Sequence, residues 1–246
     1  MIYNTCDSWF MLVSTAIRRP AGALDRMLMH TRDVLGARTE PGGAKIGETQ
    51  LARLLATDRR PDPLTAFRIA RRRFTSGRRI EMQELAAELG VNRATLFRWV
   101  GSRDDLLAEI LWSLAEPTLT IAVDGAPGSG RQRIAAIMDR FATILDNADY
   151  FRDFLRREPE RALRILTTRA STVQQRFVAA VETLLREEIT RAQLHPPLPP
   201  HDLAYLIVRI VESFLYADII TGEQPDTTKV QQAITALLDR QNCAAR

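Results

Sequence analysis

The spacing of hydrophobic positions predicts helices along the chain from residue 63 onward. Pro63 suits the first turn of a helix, where its missing N–H group is not needed. Apolar side chains then recur three and four residues apart between Leu64 and Phe74, and Gly77 ends the run. This pattern is typical of a helix with one buried face.

The same periodicity predicts further helices over the rest of the chain. They lie at residues 81–89, 93–100, 103–116, 131–147, 150–157, 160–167, 171–193, 202–221 and 226–242. Asn92 and Ser102 are the expected N-caps of the third and fourth helices, and Pro117 is expected to end the fourth, because proline lacks a backbone donor. Only residues 118–124 have the pattern of a strand, so we expect an all-α protein.

Residues 1–55 have no sustained periodicity and are interrupted by proline and glycine. We expect a poorly ordered N-terminal extension, with at most a short helix over 24–35. The alternative is a true translation start at Met27 or Met29, in which case much of the extension is not part of the protein.

Composition narrows the classes of function. The 246 residues are 46% hydrophobic and 26% charged, as in globular proteins. The two cysteines, Cys6 and Cys243, lie far apart and the three histidines lack metal-ligand spacing, so no metal, disulfide framework or cofactor is expected. We find no apolar run long enough to span a bilayer and no signal peptide, which predicts a soluble cytoplasmic protein.

The formal net charge of +4 suits a polyanionic partner. Lysine occurs only at Lys45 and Lys229, so arginine carries nearly all of the positive charge. The run Arg71-Arg72-Arg73 fits either a solvated helix face or non-specific attraction to a phosphate backbone.

Residues 84–99 contain the most informative motif. Two helices joined by a turn of three or four residues must cross closely, and Ala86 is small where they would meet. Gly90 permits the left-handed backbone conformation that such a turn needs. The apolar seam between the two helices is expected to consist of Leu85, Leu89, Val91, Leu96 and Trp99.

The opposite face of the second of these helices is polar or cationic apart from one aromatic residue. It consists of Asn92, Arg93, Thr95, Phe97 and Arg98. Such side chains suit a helix that lies in the major groove of DNA. Arg93 and Arg98 are the best candidates for reading guanine, with Asn92 and Thr95 in support. An ordinary helical hairpin with a solvated arginine face is the alternative.

Residues 64–107 resemble the DNA-binding domain of TetR-family transcriptional regulators. The resemblance depends on Ala70, Phe74, Gly77, Leu85-Ala86, Gly90-Val91, residues 95–100 and residues 102–107. It implies a helix-turn-helix domain over 56–107, followed over 108–246 by a helical regulatory domain that binds a ligand and dimerises. It also implies a repressor that a small-molecule effector releases from a palindromic operator on double-stranded DNA.

The family pattern implies further roles. Phe97 stands where the family usually has a tyrosine whose hydroxyl reaches a phosphate, and Arg103 replaces the usual lysine at the start of the fourth helix. Arg103 and Thr65 are expected to hold phosphates and to carry no sequence information. The usual threonine cap of the second helix is absent, and Glu81 is expected to serve that end through the helix dipole.

The helices after residue 108 are expected to enclose the effector pocket. Aromatic candidates for its walls, each with plain core packing as the alternative, are Phe141, Tyr150, Phe151, Phe154, Phe177, Tyr205 and Phe214. The helix over 202–221 is apolar nearly all round and therefore needs cover on two sides. Within it, Arg209 and Glu212 are expected to pair with each other or across a two-fold axis. We predict a homodimer through the last two long helices, 202–221 and 226–242.

Residues 118–132 suggest a competing interpretation, a strand that leads into a phosphate-binding loop. Gly125 and Gly130 have the right spacing, but Arg131 and Gln132 stand where lysine and serine or threonine should follow. This favours a flexible connection, and we do not expect an enzyme. A nucleotide-binding enzyme and a constitutive architectural DNA-binding protein are the alternatives to a regulator.

Overall fold

The computed structural model describes residues 61–191, 194–196 and 198–239. The predictions for residues 1–55, including the extension and the helix over 24–35, lie outside these ranges. So does the end of the last predicted helix, from residue 240 to 242.

Within the described ranges every regular element is a helix, which confirms the all-α prediction. In chain order the helices are α1 Pro63–Thr75, α2 Met82–Glu88, α3 Arg93–Val100, α4 Arg103–Asp124, α5 Gly130–Asp146, α6 Asp149–Arg157, α7 Pro159–Thr167, α8 Val173–Thr190, α9 Pro200–Leu215, α10 Ala217–Ile220 and α11 Thr227–Leu237.

Short-range hydrogen bonds explain where the first helices begin. The side chain of Asn92 accepts from the backbone N–H of Thr95 at 2.7 Å, so the predicted cap of α3 is confirmed. Ser102 and Asp105 form a reciprocal capping box at the start of α4. Glu81 precedes α2 without a side-chain cap bond, and its carboxylate pairs with a neighbouring arginine, Arg79, at 2.9 Å instead.

Helix α4 extends two turns beyond the end predicted at Pro117, and that prediction is wrong. The proline lies inside the helix, where it removes one backbone hydrogen bond. Beyond it, Leu119 and Ala122 are buried in the core, and α4 packs along α5. Burial of these apolar side chains outweighs the local effect of proline, so residues 118–124 are helical rather than a strand.

Helix α9 ends at Leu215, earlier than predicted. Buried Tyr216 follows, and the separate short helix α10 covers most of the remaining predicted segment. Arg152 of α6 donates to the carbonyl oxygen of Leu215 at 2.9 Å, so this acceptor is satisfied without another turn of α9. Helix α11 ends at Leu237 and packs against α5 and α9.

Of the described helices, α4 is the one that is long and apolar enough to cross a membrane by length and composition. Core helices of soluble proteins meet the same criterion. Eight of its residues are buried against neighbouring helices, among them Leu107, Ile110 and Leu111.

Candidate DNA-binding surface and effector cavity

The turn between α2 and α3 places α3 against α1. Gly90 has a φ of 65°, and a side chain there would be strained. The N–H groups of Gly90 and Val91 donate to carbonyls at the end of α2, which closes the turn in four residues. Ala86 is buried at the contact, and Leu96 of α3 is completely buried. The predicted seam is present, with Val91 and Trp99 half-buried at its edge.

The outward face of α3 presents the residues predicted to read DNA. Asn92, Arg93, Phe97 and Arg98 are exposed, and Thr95 is half-buried. The guanidinium of Arg93 lies over the Phe97 ring, 5.3 Å from its centroid, a cation–π contact that restrains the arginine. All five residues are therefore accessible, fully or in part, on α3 and at its N-cap.

In the arginine run of α1, two side chains make intramolecular contacts and one is exposed to solvent. Arg73 pairs with Glu88 of α2, and Arg71 donates to the Ser113 hydroxyl of α4 at 3.0 Å. Arg72 between them is exposed. Most of this run therefore holds α1 against its neighbours.

Thr65 and Arg103, the two residues predicted to hold phosphates, differ in their surroundings. Thr65 lies half-buried in the first turn of α1, next to the capping residue Asp62. The Arg103 side chain is only 14% exposed and is already engaged by Glu158. A phosphate contact by Arg103 remains a prediction that requires this ion pair to open.

Arg103 and Glu158 form the centre of an ionic cluster where α4 meets the junction of α6 and α7. Both terminal nitrogens of Arg103 donate to the Glu158 carboxylate at 2.6 Å, and its Nε donates to the carbonyl oxygen of Ile80. Arg161 bonds to Glu158 and pairs with Asp104 at 2.9 Å. The bonds from Arg103 and Arg161 lower the pKa of Glu158 to about 2, against the opposing effect of burial. We call Arg103, Asp104, Glu158 and Arg161 the junction cluster.

Helix α6 also contacts the first helices through aromatic side chains. Phe74 at the end of α1 packs edge-on against Phe154 at 5.4 Å and lies 5.9 Å from the Tyr150 ring. Arg157 donates to the carbonyl oxygen of Gly77. The loop after α1 is therefore bound to α6 by both apolar and charged contacts.

A cavity lies on the other side of α6, enclosed by α4 to α9. Its volume is about 610 Å³, including the part that is open to solvent. The aromatic residues on its walls are Trp112, Phe141, Tyr150, Phe151, Phe177 and Tyr216. A cavity with apolar walls and few polar groups is typical of a small-molecule site.

The predicted pocket residues separate into two groups. Phe141, Tyr150, Phe151 and Phe177 line the cavity, and the rings of Phe141 and Phe177 stack at 4.8 Å. The other three lie elsewhere. Phe154 packs against α1, Tyr205 is exposed on α9, and Phe214 is half-buried outside the cavity wall.

Two polar side chains on the cavity wall have unusual surroundings. Glu212 is buried, and Arg209 donates to it at 2.6 Å, so the predicted pair forms within one chain. Burial raises the pKa of Glu212 to about 7 even though Arg209 acts in the opposite direction. Gln174 of α8 has a buried side-chain nitrogen without a hydrogen-bond partner among the described residues. The hydrophobic periodicity of the sequence does not predict that Glu212 and Gln174 line a cavity.

The glycine-rich loop before α5 has no space for a nucleotide phosphate at the helix start. The N–H group of Gly130 donates to the buried carboxylate of Glu188 at 2.6 Å, so an acidic side chain occupies the anion position of this terminus. Arg133 lies 3.4 Å from the same carboxylate. Among the described residues we find no group of three or more His, Cys, Asp or Glu residues that could hold a metal ion.

The described helices form a helix-turn-helix unit followed by a helical bundle with an apolar cavity, and comparisons with known proteins find the same architecture. Residues 129–239 match the family described as "Tetracyclin repressor-like, C-terminal domain". The solved structure of the R. erythropolis TetR-family transcriptional repressor QsdR is 28% identical, covers 72% of this chain and 93% of its own, and has a TM-score of 0.67.

The TetR-family repressor AlkX from Dietzia sp. strain DQ12-45-1b is 22% identical, covers 73% of this chain and 96% of its own, and has a TM-score of 0.51. At this level of identity the similarity to AlkX is evidence for a shared fold. No curated protein matches the chain by sequence. The C-terminal half of the chain therefore matches a TetR-type domain, and the two solved structures that the chain resembles are TetR-family repressors.

Proposed function

We propose that the protein is a cytoplasmic repressor that binds a palindromic operator as a homodimer and is released by a small-molecule effector. The observation that supports DNA reading most directly is the outward face of α3, where Arg93 and Arg98 are exposed and have no acidic partner among the described contacts. A guanidinium without an acidic partner is free to donate a bidentate pair of hydrogen bonds to guanine.

Selection of bound fragments from genomic DNA tests this proposal. A symmetric dimer presents two α3 helices about one DNA turn apart, or a multiple of it. The expected result is therefore an inverted repeat with that spacing between half-sites. Recovery of fragments without any shared sequence would contradict the proposal and favour an architectural DNA-binding protein.

Replacing Arg93 with alanine is expected to weaken binding to the selected operator by about 5- to 150-fold. This range corresponds to roughly 1–3 kcal/mol for one arginine–guanine contact. Affinity for a scrambled duplex should stay near wild type, since base contacts contribute little there. Fluorescence anisotropy with both duplexes measures the two effects, with Arg156→Ala on the exposed side of α6 as the matched control.

An equal loss on both duplexes would show that Arg93 contacts phosphate rather than a base. Arg103→Ala is expected to weaken both duplexes alike. Because Arg103 also belongs to the junction cluster, the thermal unfolding midpoint of Arg103→Ala must be measured as well, to separate a loss of stability from a loss of DNA affinity.

The homodimer is supported by the outward face of α9. Tyr205 and Leu206 are 44% and 37% exposed there, and α8 packs beside α9 with exposed Ala179 on its own outer side. Exposed apolar side chains on adjacent helices suit a four-helix interface. The outward residues of α11 include polar Lys229 and Gln231, so the proposed interface pairs α9 with α8 instead of with α11, the partner helix predicted from the sequence.

Replacing Leu206 with glutamate is expected to raise the dissociation constant of the dimer about thirtyfold. The variant places a charge in an apolar contact, which we expect to cost about 2 kcal/mol of association free energy. Light scattering over a micromolar dilution series measures the dissociation. Ile121→Glu is the control, since Ile121 is exposed on α4 outside this face. A monomeric wild type, or dissociation by Ile121→Glu alone, would contradict the proposed interface.

Release by an effector is supported by the position of α6 between the cavity and the DNA-binding helices. Tyr150 lines the cavity and also contacts Phe74 of α1, while Glu158 at the end of α6 holds Arg103 of α4. An effector that binds better to a cavity with α6 displaced shifts the population towards that state. In that state the two α3 helices have the wrong spacing for the operator.

A further inference from the structure

The chemical class of the effector follows from the cavity that the proposed function assigns to it, and this inference rests on that assignment. Most of the wall is aliphatic or aromatic, with contributions from six helices. Ligands of such sites are largely apolar, and a few polar groups fix their orientation. The polar groups on the wall therefore determine which functional group the ligand carries.

An anionic ligand does not fit this wall. No lysine or arginine lines the cavity among the described residues, and Glu212 is its one acidic side chain. A carboxylate or phosphate would lose its hydration without gaining a cation on the cavity wall.

A cationic ligand is also disfavoured, because Glu212 already has a counter-ion. Arg209 donates to one of its carboxylate oxygens at 2.6 Å. A second cation would share this one carboxylate with Arg209 and would be repelled by the guanidinium. Burial also favours the neutral form of the Glu212 carboxyl.

Gln174 offers a ligand in the cavity a hydrogen-bond donor that has no other partner. Its side-chain nitrogen is buried and has no acceptor among the described residues, and a buried donor without a partner is unfavourable. A ligand oxygen at this position would satisfy the donor. Gln174 lies three residues before Phe177 on α8, and both side chains line the cavity, so one ligand can contact both.

We propose that the effector is an uncharged, largely apolar molecule with one hydrogen-bond-accepting oxygen, such as a ketone or ester carbonyl, which accepts from Gln174. The aromatic walls contact the apolar body of the molecule, and Glu212 and Arg209 remain paired with each other.

Four probes that share a phenyl ring and a four-carbon chain separate the possibilities. They are 4-phenyl-2-butanone, 4-phenylbutylammonium, 4-phenylbutyrate and n-butylbenzene, each titrated calorimetrically into the full-length protein without DNA. Quenching of tryptophan fluorescence that is absent from a Trp112→Phe variant locates binding in the cavity, since Trp112 is on its wall. The ketone is expected to bind about tenfold more tightly than butylbenzene, as one satisfied hydrogen bond implies.

Variants test the assigned donor. Gln174→Leu is expected to lower ketone affinity about tenfold, to that of butylbenzene, while butylbenzene itself is unaffected. Gln175→Leu, at the exposed neighbouring position of α8, should change neither affinity. Thermal midpoints confirm that each variant is folded.

Other results would overturn the proposal. Tightest binding of the ammonium probe, lost in Glu212→Gln, would identify a site for organic cations. Tightest binding of phenylbutyrate would identify a site for anions, and equal binding of ketone and butylbenzene would exclude an oxygen acceptor. Failure of all four probes would also reject this ligand class. None of these results affects the operator selection, so the two proposals fail independently.

Discussion

Replacing Glu158 with alanine is expected to lower the free energy of unfolding by about 3 kcal/mol. The side chains of Glu158 and Arg103 are only 13% and 14% exposed, so the variant leaves a largely buried guanidinium without its carboxylate. Arg161 loses the same partner. Urea denaturation at pH 7 measures the change.

The pH dependence provides a second measurement of the same cluster. The pKa of Glu158 is lowered to about 2 by its bonds to Arg103 and Arg161. A group with a lowered pKa stabilises the fold above its ordinary pKa, and this contribution is lost as the pH falls through the folded value. We therefore expect wild type to lose about 2 kcal/mol from this group between about pH 4.5 and pH 2, after allowance for solvent screening.

Glu158→Gln is expected to lack this part of the acid dependence, while Glu160→Ala, at an exposed position on α7, should retain it. If Glu158→Ala unfolds with wild-type stability and unchanged pH dependence, the junction cluster does not hold α4 to α6. The proposed route from the cavity to α3 would then depend on the contact between Phe74 and Tyr150 alone.

Features that depend on neighbouring residues could be predicted from the sequence. Asn92 caps α3 by a bond to an N–H three residues away, and Gly90 is required by the backbone of the turn itself. Ala70 and Phe74 of the predicted apolar face of α1 are buried at the helical spacing, whereas Leu64 at its start is 60% exposed. Each depends on chemistry within one turn of helix, which the order of residues contains.

Features that depend on distant partners could not be predicted in this way. Pro117 is a local signal for a helix end, yet α4 continues because Leu119 and Ala122 are buried against α5. Arg103 resembles a phosphate ligand by its position in the motif, while its partner Glu158 lies 55 residues further along the chain. Nothing in the local pattern of either residue indicates the other.

The cavity was predictable only in part for the same reason. Aromatic side chains such as Phe141 and Phe177 are apolar and periodic, so they were expected in the interior. Gln174 was not, because a polar residue on a helix is usually solvent-facing. Its spacing of three residues from Phe177 is the signal that could have placed it on the cavity wall.

Replacing Glu212 with glutamine is expected to raise the free energy of unfolding at pH 8 by about 2 kcal/mol. Two effects compete at this residue. Burial disfavours the carboxylate, and the bond from Arg209 favours it. Since burial is the larger effect, the pKa of Glu212 is raised to about 7, and the charged form present at pH 8 destabilises the fold. Chemical denaturation at pH 8 measures the gain.

The sign of the pH dependence is opposite to that of Glu158. A raised pKa means that the folded protein holds the proton more tightly, so this contribution to stability is complete below about pH 4.5 and is lost as the pH rises through 7. Glu212→Gln should lack this loss, and Glu223→Gln, at an exposed position, should keep it. A variant less stable than wild type at pH 8 would show that the Arg209 pair outweighs burial. The cavity would then contain a charged carboxylate under working conditions.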